Sequence, residues 1–231
     1  MAIFSWVLCV LSAAATNAQV AQLLSAEDHA QWQAIGRVNQ AGYKAKGLCT
    51  GTLIAADLVL TAAHCVHPRR PGKLTFVAGW FRGEYVAARD VTDIHISCGF
   101  IRGDLTMRGL SRDVAVLRLE QPISQITPLS IAPPRPLSPA TLLHYSGARP
   151  HALEVQTSCK LSEAFSAMIT PCRVAAGNSG GPVLQQDAAG AWHVVAVIVA
   201  RRRGGAILAV PSDDLLERGF SGASGTEPAT R

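Results

Sequence analysis

Gly177-Asn178-Ser179-Gly180-Gly181-Pro182 sets one serine among glycines, directly ahead of an apolar pair, Val183-Leu184. Glycine accepts the backbone angles of a tight turn. Such a stretch therefore lifts the Ser179 hydroxyl out of the fold and aims neighbouring N–H groups at one point, as a site for acyl transfer requires. A serine hydroxyl is a poor nucleophile at neutral pH and needs a histidine base, itself oriented by an acid. Both lie upstream. Thr61-Ala62-Ala63-His64-Cys65 supplies the base, and Asp113-Val114-Ala115-Val116-Leu117-Arg118-Leu119 supplies an acid at the head of an apolar run. The remaining histidines, including His144 and His193, stand in no such motif and are read as structural.

In the chain order His, Asp, Ser, these three segments resemble the trypsin and chymotrypsin superfamily of serine peptidases, over roughly residues 35–219. The resemblance implies an all-β fold of two packed antiparallel β-barrels of chymotrypsin type with a short C-terminal helix. It makes Ser179 the nucleophile and His64 the base that takes and returns its proton. Asp113 becomes the group that fixes the imidazole tautomer. The N–H groups of Gly177 and Ser179 fall where the family places its oxyanion hole. The family pattern also joins Cys49 to Cys65, and Cys159 to Cys172 is the expected second bridge. Each closes a loop of about 15 residues, worth roughly 3 kcal/mol by restricting the unfolded chain. Cys98 is left over, as a buried thiol, an intermolecular link, or a sign that one pairing is wrong.

Two departures from the digestive branch of the family are informative. Asn178 stands where that branch has an aspartate paired with a newly cut amino terminus, and no Ile-Val-Gly-Gly type start is present. A neutral amide offers no charge partner to an ammonium, so activation by that route is not expected. The Gly-Asn-Ser-Gly form and a cysteine seven residues before the serine look more like bacterial secreted glutamyl endopeptidases. Six residues before the nucleophile, where trypsin-like enzymes hold a basic substrate side chain with an aspartate, this chain has Arg173. Arg201, with Arg202 and Arg203, falls at the expected pocket rim. A guanidinium pairs a carboxylate with two hydrogen bonds, so cleavage after Glu or Asp is the preferred specificity. The competing reading has Arg173 pointing to solvent, and the histidine that recognises glutamate in glutamyl endopeptidases has no counterpart at Ile198-Val199-Ala200.

Outward from the site, short apolar runs alternate with Gly and Pro punctuation, the pattern of an antiparallel barrel or sandwich. The first barrel is expected over about 35–121, with strands at Gly51–Ala55, Leu58–Thr61, Leu74–Ala78, Tyr85–Ala88 and Val114–Leu119. The second is expected over about 140–212, ending in a helix at 213–218. Between them Pro122 to Pro139 carries six prolines and reads as a connector without regular structure. Ile3 to Ala15 is apolar and Thr16-Asn17-Ala18 suits signal peptidase, giving a leader over 1–18 and a mature start at Gln19; a buried helix is the alternative. Residues 19–34 read as a short polar-faced helix, either a cap on the domain or a removable pro-segment, and 221–231 as a frayed tail.

The 231 residues are 48% apolar and 16% charged, which excludes a disordered chain and permits a sizeable core. The net charge of +5 comes from scattered basic residues without interleaved aromatics, so nucleic acid is not an expected partner. No C-x-x-C pair or Cys/His cluster has zinc spacing, and the chemistry needs no metal or cofactor. The expected partners are protein or peptide substrates, met by a monomer without a membrane anchor in an extracellular or periplasmic setting. A secreted serine endopeptidase is the leading reading. A catalytically silent, protein-binding homologue and an acyl esterase on the same scaffold are the alternatives.

Overall fold

The computed structural model describes residues 20–40, 42 and 47–221. The expected leader, its junction with Gln19, and residues 222–231 of the expected tail lie outside them. The described chain opens with β1 (Gln22–Leu23) and α1 (Ala26–Ala30), where the Ser25 hydroxyl caps the helix by accepting the Asp28 N–H at 3.1 Å. There follow β2 (Ile35–Gln40), β3 (Gly47–Ala55), β4 (Leu58–Thr61), the single-turn α2 (Ala63–Val66), β5 (Leu74–Ala78), β6 (Ala87–Ile96), α3 (Met107–Ser111) and β7 (Ala115–Leu119). These strands pair in the order β2-β3-β4-β7-β6-β5, and β5 returns to β2, so the first barrel closes and leaves no open edge. β6 runs eight residues beyond the expected end at Ala88, because the polar residues Arg89, Asp90, Thr92 and Asp93 interrupt the apolar pattern in the sequence.

Phe76 fills the middle of this barrel. It is fully buried, and its ring lies so close to Gly36 that a Cβ there would come within 2.6 Å. Phe76→Ala removes the filler from a site whose glycine floor cannot collapse inward. The expected cost is about 3–5 kcal/mol of unfolding free energy in urea titration. A loss below about 1 kcal/mol would contradict a close-packed barrel.

The second half holds β8 (Ser130–Ile131), β9 (Pro139–His144), β10 (Glu154–Lys160), β11 (Ser162–Ala164), β12 (Ala167–Thr170), β13 (Pro182–Gln186), β14 (Trp192–Arg202), β15 (Gly205–Ala209) and α4 (Asp213–Ser221). The pairing order is β1-β10-β9-β13-β14-β15-β12-β11, with β8 added in parallel to β14. Cys159 of β10 and Cys172 just beyond β12 lie toward opposite ends of that order and are joined by a disulfide, which curls the sheet over its own core. β9, β13 and β14 form the wall between the two cores: Leu143, Leu184 and Val197 face one, and Leu142, Val183 and Ile198 face the other. Strands buried on both faces read as unbroken apolar runs, which is why Val194 to Val199 shows no polar alternation.

Two segments differ from expectation. The proline-rich connector carries the two-residue β8, because Ser130 and Ile131 are free of proline and lie beside β14, and it buries Ile123 and Ile126. The last helix continues to Ser221 instead of ending at 218. Gly219 packs on Val116, its carbonyl accepts from Arg118 at 2.5 Å, and the Ser221 hydroxyl donates to Glu217 O. Residues 22–33 form β1 and α1 and pack on the second sheet: Gln22 pairs with Val155, the Leu24 N–H donates to Leu153 O, and Trp32 is buried.

Candidate active site

His64 sits on α2, one residue before Cys65, whose sulfur is bonded to Cys49 on β3; this staples the histidine turn to the barrel wall. Arg102 reaches across to donate to the carbonyls of His64 and His67. Asp113, nearly buried at the head of β7, engages the histidine twice. One carboxylate oxygen accepts the His64 backbone N–H at 2.8 Å, and the other lies 2.6 Å from Nδ1. The acceptor at Nδ1 keeps the proton on that nitrogen and leaves Nε2 as the basic atom.

The Ser179 loop is wedged against the same barrel. Gly177 (φ +94°) and Gly180 (φ +81°) take conformations that suit glycine, and a Cβ on Gly180 would come 2.1 Å from Thr50 O and 2.3 Å from Thr61 Oγ1. The Thr50 N–H donates to Ser179 O at 2.8 Å, the Thr50 hydroxyl donates to Gly177 O, and the Thr61 hydroxyl donates to Thr50 O. Sequence reasoning missed both threonines. Their one signal is position, one residue after Cys49 and three before His64. The N–H groups of Asn178, Gly180 and Gly181 are taken by Ala175, Ile198 and Asn178 carbonyls. Among the described residues those of Gly177 and Ser179 donate to no protein group. The Ser179 hydroxyl makes no hydrogen bond to His64 among the described residues, and His64 Nε2 lies 3.7 Å from Cys65 Sγ. Such contacts commonly tighten only when substrate is bound.

Two cavities flank β14 where its pairing with β15 shifts register between Ile198 and Ala200. One, about 220 Å³, is lined by His64, Asp113, Phe100, Leu105, Val199 and Ala200. The other, about 270 Å³, is lined by Val174, Ala175, Ser179, Val199, Ala200 and Arg201. Val199 and Ala200 border both, so one strand runs past the histidine and the serine. Arg201 and Val174 also line a third cavity of about 560 Å³ with Arg173, Arg202 and Arg203. Arg173 and Arg201 are thus brought to one cavity, and no acidic residue lines it. Among the described residues these four guanidiniums make no ion pair.

One group of metal-type donors converges among the described residues, Cys49, His64 and Cys65, but both sulfurs are spent in the disulfide and offer no thiolate. Cys98, which the sequence left without a partner, is a free and exposed thiol with Asp214 Oδ2 3.6 Å away. No described helix is long and apolar enough to cross a membrane.

Residues 49–197 match the model of the trypsin-like peptidase domain. Serine protease 23 of Mus musculus is 29% identical over 161 residues, 58% of this chain and 42% of that protein. Serine protease 23 of Bos taurus is 27% identical over 160 residues, with 58% and 43% covered. The chain thus spans under half the length of the curated relatives it matches. Among solved structures, the secreted serine protease VesC from Vibrio cholerae superposes with a TM-score of 0.69 at 16% identity, covering 88% of this chain and 47% of that one. The VesB protease of Vibrio cholerae gives 0.67 at 17%, covering 87% and 65%. At these identities the structural likeness speaks for the fold.

Proposed function

Since the chain belongs to the trypsin-like peptidase domain family, we propose that it is an exported serine endopeptidase that cleaves after acidic residues. The observation that carries the first part is the convergence of an Asp113-held His64 with a Ser179 loop offering two unclaimed N–H groups. Ser179 Oγ attacks the scissile carbonyl carbon while His64 Nε2 takes its proton. The oxyanion is received by the N–H groups of Gly177 and Ser179. His64 then returns the proton to the leaving amine, and an acyl-enzyme remains on Ser179. Water, deprotonated by the same nitrogen, releases the acid product and restores the serine. Asp113 holds the imidazolium in place. Export is supported by two disulfides, which persist in oxidising compartments, and by the leader read over residues 1–18.

The arginine-lined cavity supports the specificity. It opens beside Ser179 through Arg201 and Val174, and a substrate carboxylate entering it would meet guanidiniums without competing anions. Cleavage-site mapping on a denatured protein mixture is expected to find Glu or Asp on the acyl side of the cut bonds. Charge-assisted hydrogen bonds are worth about 1.5–3 kcal/mol, so Arg173→Glu with Arg201→Glu should lower kcat/KM on a Glu substrate roughly 10–150-fold. Unchanged selectivity in the double variant, or cuts after Lys and Arg, would overturn the acidic preference and leave the peptidase reading standing.

A further inference from the structure

Behind the Ser179 loop lies a buried polar cluster that the chemistry above does not use. His144, at the end of β9, is 1% exposed; Asn178, Glu154 and Gln156 are each 2% exposed. The Asn178 side chain is fixed from both ends: its oxygen accepts the Ala175 N–H at 2.5 Å and its nitrogen donates to Tyr145 O at 2.9 Å. The same nitrogen lies 2.8 Å from His144 Nδ1. Across the ring, His144 Nε2 is 3.2 Å from the Gln156 side-chain nitrogen, which donates to Arg173 O at 2.9 Å. One imidazole therefore touches both groups that hold the loop, Asn178 within it and Gln156 at its start.

We propose that His144 is the positioning residue of the nucleophile loop, a neutral internal prop in place of the charged amino terminus that fixes this loop in digestive relatives. The proposal rests on the peptidase reading for its consequence in rate, but not for its structural content. Asn178 is locked with its nitrogen toward the ring, so Nδ1 must accept. The neutral ring then keeps its one proton on Nε2, beside the Gln156 amide, and an imidazolium would add a second N–H aimed at the Asn178 donor. Burial pushes the His144 pKa down to about 4, in line with that geometry. The other charged groups facing the ring are Glu154, with Oε2 3.5 Å from Nδ1, and Arg149, whose Nε lies 2.5 Å from Glu154 Oε1. The Ser146 hydroxyl also donates to Glu154 Oε1, so Ser146 and Arg149 share one oxygen of that carboxylate while Oε2 lies nearer the ring, beyond the 2.8 Å contact from Asn178. The N-terminal strap covers this cluster from outside, with Leu23 paired to Glu154 and the Arg149 side chain donating to Ala21 O. This N-terminal segment is thus held by backbone pairing and by the Arg149 side chain.

Two variants test the proposal on the full chain. His144→Phe keeps a ring without an acceptor, and His144→Gln restores an acceptor. His144→Phe is expected to lower kcat about 100-fold with KM within about twofold, and to raise amide hydrogen exchange over Ala175–Ser179 at least tenfold while circular dichroism stays native. His144→Gln is expected to recover most of both. Equal kcat and equal exchange in His144→Phe would overturn the proposal, as would a His144→Gln variant no better than His144→Phe. If the wild-type protein hydrolyses no substrate, the peptidase reading falls, and the exchange pattern alone still decides for or against the prop. Should His144→Phe fail to fold, a carbon-bound imidazole proton signal in the wild type decides. The His144 ring is expected to stay neutral through pH 5, and titration near 6.5 would overturn the proposal.

Discussion

Ser179→Ala is expected to leave a folded protein with native circular dichroism and both disulfides, and to lower kcat about a millionfold on any substrate the wild type cleaves. The size follows from the chemistry. No other hydroxyl enters the covalent step, and what survives is the effect of binding and of two N–H donors on direct attack by water. The structural cost is small because the Ser179 hydroxyl makes no hydrogen bond among the described residues, while the loop is held by backbone contacts from Thr50. Stopped assays at micromolar enzyme measure the residual rate. A fall of less than about a hundredfold would mean that another residue carries the reaction.

Asp113→Asn should lower kcat about 10⁴-fold at neutral pH with little change in KM or in melting temperature, the size of a tautomer error in a Ser-His-Asp triad. Asp113 accepts the His64 backbone N–H with one oxygen and faces Nδ1 with the other. In the asparagine variant the backbone N–H keeps the amide oxygen on its side, which turns the amide NH₂ toward Nδ1. Nδ1 must then accept, the ring proton moves to Nε2, and the atom that should take the Ser179 proton already carries one. The variant is expected to regain rate at high pH, where hydroxide removes the serine proton without the base. A pH profile with the wild-type shape would contradict this account of Asp113.

The parts legible in the sequence share a cause. Gly177, Gly180 and the His64 and Asp113 segments are bound by local constraints, a turn that suits glycine or a strand that begins at an acid, and local constraints leave local patterns. The first barrel was legible where its strands are buried throughout, at Leu58–Thr61 and Leu74–Ala78, and illegible along β6, where polar residues at Arg89, Asp90, Thr92 and Asp93 hid the second half. Thr50, Gln156 and His144 could not be read because each acts through a partner far along the chain: Thr50 on Gly177 across 127 positions, His144 on Asn178 across 34. A lone histidine on an apolar strand is read as structural. Its special quality is the pair of amide nitrogens that pairing and curling of the second sheet bring to it. The helix beyond Arg218 was hidden for the same reason, since its last turn is held by Arg118 and Val116, a hundred residues earlier.

The central claim, that the fold delivers an activated serine at one position, is tested most directly by mass mapping of a fluorophosphonate adduct on the native protein. The account predicts one stoichiometric adduct, on the peptide that carries Ser179, lost on denaturation and absent from Ser179→Ala. An equal adduct in that variant, or a folded protein that takes up no probe, would contradict it.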